Sequence, residues 1–184
     1  MRTTIRRAAA AAAAALALGT GSAVVVASSA SAAPAAHANL LPVCTAGNLA
    51  VWVNADAGSG AAGTFYYPLE FTNTSNHTCR TWGWPGLSAT NINGHQLGDA
   101  AARLSNYKPK WVNIAAGGTA HALFAYGNAE VQTSGCKPTN ASFIKVYAPN
   151  QRRADYGFFS LPACTVGGKH IYLRISAIAP GTNI

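Results

Sequence analysis

From Asn48 onward the chain is written in short runs of period two, and no stretch carries the apolar spacing of an amphipathic helix longer than a couple of turns. "NLAVWVN" alternates Leu49, Val51 and Val53 against Ala50, Trp52 and Asn54. "TFYYPLEFTN" sets Phe65, Tyr67, Leu69 and Phe71 on one face and Tyr66, Pro68, Glu70 and Thr72 on the other. Such alternation describes half-buried strands. Pro68 lacks the ladder donor, so this strand is expected at a sheet edge or bulged there. "LSATNINGHQL" carries Asn93-Gly94, a hairpin signal in which both turn residues take positive φ. "WVNIAAGGTAHALFAY" reads as strand, Gly117-Gly118 turn, strand, and "ADAGSGAAG" as a turn. "SFIKVYA" and "KHIYLRISAI" close the series, the latter placing Tyr172 opposite Leu173 and Ile175. One short helical turn is expected at "DAAARL" near Asp99. Many short strands divided by Gly, Pro and Asn predict an all-β, Greek-key antiparallel β-sandwich.

The first 32 residues stand outside that pattern. A basic start with Arg2, Arg6 and Arg7, an alanine-rich apolar run and a small-residue region ending Ala30-Ser31-Ala32 read as a secretory signal peptide. Residues 33–43 are expected to be an unstructured leader and 44–184 a single β-sandwich domain. The 152 residues from Ala33 onward suit one core. They hold ten basic residues against five acidic, and the bases are scattered rather than run together, which argues against a nucleic-acid partner. No membrane span is expected once the signal is removed.

Cys44, Cys79, Cys136 and Cys164 form an even set in an exported chain, and no C-x-x-C occurs. Two disulfides are therefore expected, with three pairings open. The sequential one, Cys44–Cys79 with Cys136–Cys164, is favoured because each bridge closes a loop of moderate length.

Taken together, "YYPLEFTNTSNHTCRTWGWPGLSA", "GHQLGDAAAR", "AAGGTAHALF" and "YAPNQ" resemble the secreted actinobacterial proteins grouped as domain of unknown function 4232, from about Cys44 to about Ala179. The resemblance implies an immunoglobulin-like β-sandwich with bridged cysteines. It implies no activity.

The chemistry-bearing residues are sparse. No G-x-S-x-G lies in the mature chain, the five acids are not marked as a pair, and the five histidines form neither H-x-H nor H-E-x-x-H. An enzyme is not expected, and no metal or cofactor is implied. What remains is aromatic. Trp82, Trp84, Tyr66 and Tyr126 are the side chains suited to stacking on a sugar or peptide. Trp82 or Trp84, close to Cys79, is nevertheless expected in the core beside a disulfide. Trp52 and Tyr66, opposite their apolar neighbours, are expected to be exposed, and Trp52, Tyr66 and Tyr126 are the candidate ligand contacts. The chain is thus expected to be a secreted binding or interaction module whose partner is cell wall, polysaccharide or an extracellular protein. The alternative is a protease inhibitor presenting "SGCKPTN", with Lys137 beside Cys136.

Overall fold

The computed structural model describes residues 40–128, 135–165 and 172–182, all within one compact unit, Asn39–Ile184. The expected signal peptide lies outside the described residues. A single 3-10 turn, Ala46–Asn48, leads into β1 (Leu49–Val53), β2 (Ser59–Ala61), β3 (Thr64–Asn73) and β4 (Cys79–Thr81). Next come β5 (Gly86–Thr90), β6 (Gln96–Leu97), β7 (Ala102–Arg103), β8 (Val112–Ile114) and β9 (Thr119–Gly127). Last are β10 (Pro138–Tyr147), β11 (Ala154–Cys164), β12 (Leu173–Ile175) and β13 (Ala179–Pro180).

Two sheets make the sandwich. The larger runs β1-β3-β9-β12-β7, with β2 paired to β3 and β13 to β9; the smaller runs β11-β10-β5-β6. The chain crosses between the layers repeatedly, as a Greek-key sandwich requires. Between the named strands, pairing is antiparallel except for the two-residue contact of β7 with β12. A third, two-stranded piece, β4 with β8, is set apart from both sheets.

The core forms where the alternating faces meet. On β3 and β9 the register places Phe71 opposite Ala120, Leu69 opposite Ala122, Tyr67 opposite Phe124 and Phe65 opposite Tyr126. The aromatic end of this ladder reaches the other layer: Phe159 of β11 meets Phe124 edge-on at 5.8 Å and Tyr67 at 5.0 Å. Ile144 and Val146 of β10, Leu87 and Ala89 of β5, and Leu173 and Ile175 of β12 complete the buried set. Gly98 is required beside it. Its φ is +66°, and a Cβ there would lie 2.7 Å from the Tyr172 ring.

Both expected disulfides are present, Cys44–Cys79 and Cys136–Cys164.

Several local expectations are corrected by tertiary pairing. β3 is an interior strand. Pro68 falls where its flank passes from β2 to β1, so no neighbour needs the missing N–H, and its carbonyl accepts from the Asn54 amide at 3.0 Å. The β5–β6 hairpin forms, but only Gly94 takes positive φ (78°). Asn91 closes the loop instead, its carbonyl accepting from the Gly94 amide and its side chain from the Asn93 and His95 amides. Gly117-Gly118 turns the chain, yet β8 pairs with β4 and β9 with β3, so the turn carries the chain between sheets. Within "ADAGSGAAG", Ser59–Ala61 is a strand hairpinned onto β3 through Ala62 and Gly63, both at positive φ. No helical turn forms at "DAAARL", because Ala101 donates to the Leu87 carbonyl and β7 pairs with β12. Pro42 and Val43 are not free leader. The Arg80 amide donates to the Pro42 carbonyl and the Cys44 amide to the Arg80 carbonyl, which ties this end to β4.

Tyr172 is buried like its neighbour Leu173, its hydroxyl donating to the Leu97 carbonyl at 2.7 Å. Burial pushes its phenol pKa well above the ordinary value, with Asp99 adding to the effect. Burial pushes Tyr126 up to about 12, with Tyr67 adding. Below the ordinary tyrosine pKa both folded and unfolded chains hold these phenols neutral, and stability is undiminished. Above it the unfolded chain ionises first, so stability falls from about pH 10 upward through the Tyr126 value. Thermal melts should lose midpoint temperature between about pH 10 and about pH 12, and Tyr126→Phe should lessen the loss. An unchanged loss in that variant would contradict the assignment.

Candidate functional site

The two-stranded β4–β8 piece carries the exposed aromatic surface. β4 is anchored at Cys79, which is buried in its bridge to Cys44. β8 is anchored through Asn73, whose side-chain amide donates to the Ile114 carbonyl at 2.9 Å and the His77 carbonyl at 2.8 Å. The Asn73 side-chain oxygen accepts from the Ser75 amide. On this support Trp82 follows β4 and Trp111 precedes β8, 39% and 55% exposed, with ring centroids 6.5 Å apart. The Arg80 guanidinium lies 4.3 Å from the centre of the Trp111 ring, within the range of a cation–π contact.

Open hollows flank this ridge. On one side Tyr107, Lys108, Lys110 and Trp111 face Ile178 and Ala179 across about 610 Å³. On the other, Trp82 and Trp84 line a hollow with Arg103, Tyr147 and Asn150. Arg103 stands 5.3 Å over the Trp84 ring, and the Asn150 side chain donates to the Trp82 carbonyl at 2.8 Å. The Ile178 amide donates to the Gly83 carbonyl and so joins the two walls. The first hollow continues past Tyr107 and Ala179 into a groove on the outer face of the larger sheet, lined by Tyr66, His121, Leu123 and Ser176. Volumes of several hundred Å³ are of the size that admits small-molecule or polymer segments.

No acidic side chain lines any of these three hollows. The Nε of Arg80 and the indole Nε1 of Trp84 are buried without a hydrogen-bond acceptor. A buried donor left unpaired costs about 1–3 kcal/mol, so two in one cluster are notable.

The expected contacts are distributed differently. Trp52 is 46% exposed on β1 but lines none of the hollows. Tyr66 is half-buried and lines the groove. Tyr126 is buried in the core ladder, its ring 5.2 Å from Phe65 and 6.1 Å from Tyr67. The core expectation for Trp82 and Trp84 is corrected. The strand ends at Thr81, so neither ring is held in a sheet face, and neither belongs to the buried core cluster. Sequence reasoning missed Trp111, Tyr107 and the nearby cations. Their signal is "YKPKW", two lysines around a proline between two aromatics, which a search for long basic runs passes over.

Other predicted features are placed plainly. His121 is buried with Nδ1 2.9 Å from the Gly181 carbonyl, and Glu70, on the same sheet face, is buried and accepts from the Asn54 side chain at 2.9 Å. Lys137 is exposed, its carbonyl accepting from the Thr165 amide at 3.0 Å, and Pro138 follows it. His170 and Ser134 lie outside the described residues.

Fold and surface together define a disulfide-bridged all-β sandwich with an aromatic, cationic face at one end. The chain matches the model of a family described as a domain of unknown function, DUF4232, over residues 44–173, and it belongs to that family. No curated protein and no solved structure gives a significant match. Among the described residues no helix is long and apolar enough to cross a membrane.

Proposed function

We propose that this protein is an exported, non-catalytic binding module that takes an extended ligand, a cell-envelope polysaccharide, across the Trp82–Trp111 ridge. The observation that carries the reading is the ridge itself: two exposed indoles on a disulfide-pinned strand pair, with a hollow beside each, the one at Trp111 joined to a further groove through Tyr107 and Ala179. Flat indole faces stack on the apolar faces of sugar rings, and a run of joined hollows suits several units of a chain. Two disulfides and the basic, alanine-rich start support export. An inhibitor role for the Lys137 loop is less favoured. The Thr165 amide holds the Lys137 carbonyl, and the bond that follows is to Pro138.

Co-sedimentation with isolated cell envelope tests the reading. Trp111→Ala and Trp82→Ala should each weaken binding about tenfold, the equivalent of about 1.4 kcal/mol, while Trp52→Ala leaves it unchanged. Binding that depends on Trp52 and ignores the other two would remove the ridge from the account.

A further inference from the structure

We infer that the ridge is selective for a linear polyanion, a polymer bearing carboxylate or phosphate groups along an otherwise stackable chain; this rests on the binding-module reading above. Four cations border the two indoles. Lys108 and Lys110 project from the segment that precedes Trp111, both exposed and held apart by Pro109. Arg103 stands over Trp84 in the hollow beside Trp82, and Arg80 lies over Trp111. Neither hollow has an acidic lining residue to neutralise them. The four acids of the described residues are engaged or placed elsewhere: Glu70 is buried against Asn54, Asp155 pairs with Arg153 at 3.8 Å, Asp99 acts on the buried Tyr172 phenol, and Asp56 sits in the β1–β2 turn.

A guanidinium stacked through its face leaves edge N–H groups that suit a planar carboxylate or a phosphate, and Arg103, exposed over Trp84, presents such a group in the hollow beside Trp82. Aromatic faces alone would serve a neutral glycan equally well; cations in hollows with no acidic lining residue add a preference for anionic units.

Calorimetric titration of the mature protein tests this with four probes: polygalacturonate for carboxylate, polyphosphate for phosphate, and dextran and a neutral galactan as uncharged chains. The expected result is tighter binding of a charged probe than of either neutral one. That binding should fall about tenfold when salt is raised from about 50 to about 200 mM, as release of counterions by a few contacts requires. The paired variant Lys108→Ala/Lys110→Ala should lose most of the salt dependence. The control variant Lys137→Glu, equal in charge change and outside the three hollows, should retain it. The tighter of the two charged probes names the anion. Equal loss in both variants would overturn the inference by showing only the field of the net charge. Equal binding of neutral and charged probes, abolished by Trp111→Ala, would overturn the inference and leave the stacking site standing. No binding of any probe would overturn both.

Discussion

Phe124→Ala is expected to destabilise the domain by about 3–5 kcal/mol, a large share of the roughly 5–15 kcal/mol that holds a domain of this size. The Phe124 side chain is fully buried on β9. It faces Tyr67 at 6.5 Å and Tyr126 at 5.8 Å within its own sheet, and Phe159 at 5.8 Å across the sandwich. Truncation removes one of the three rings that meet Phe159 across the layers, and the neighbouring rings cannot close the void because each is held by its own strand register. Urea denaturation should show a much lower midpoint with little change in slope. A loss under about 1 kcal/mol would mean the layers do not meet through this ring.

The second large effect separates the two disulfides. Replacing Cys44 and Cys79 together with alanine opens a bridge of 35-residue separation, and replacing Cys136 and Cys164 opens one of 28. The chain-entropy model assigns each about 3–4 kcal/mol. Their consequences for binding differ. β4 has three residues, pairs only with the equally short β8 and the chain around Val43, and leads directly to Trp82. Without Cys79 fixed, that strand frays and Trp82 loses its alignment with Trp111. Cys136–Cys164 instead staples one end of the long β10–β11 pair, where Pro138 already faces Cys164 in register. Opening it should lower the melting temperature and leave envelope binding unchanged. Equal loss of binding in both variants would contradict the assignment of the site to β4 and β8.

Alternation along the third strand identified Tyr67, Leu69 and Phe71 as inward because side chains on a pleated strand have only two directions, but Phe65, near the strand's start, is 41% exposed. The same rule does not reach Trp82 and Trp84, because the strand ends at Thr81. Pairing partners were harder to read than strands. Gly117-Gly118 marks a turn in either case, but whether the next strand folds back on the last depends on long-range competition, and β3 wins β9 across the full length of that strand. The binding surface escaped notice for a related reason. Arg80, Trp82, Arg103, Lys108 and Trp111 are spread over 32 positions, and only the β4–β8 pairing and the β7–β12 contact bring them to one end. Glu70 sits on a face expected to be polar and open, yet it is buried, since the Asn54 segment covers it.

The four tryptophans give the most direct test of the central claim. Their indole N–H signals are resolved from the backbone in a two-dimensional nitrogen–proton spectrum, and single Trp→Phe variants assign them. Titration with isolated envelope polysaccharide should shift the Trp82 and Trp111 signals together, in proportion to ligand bound, and leave Trp52 in place. A shift confined to Trp52, or no shift of any indole at concentrations where co-sedimentation shows binding, would place the ligand elsewhere and contradict the account.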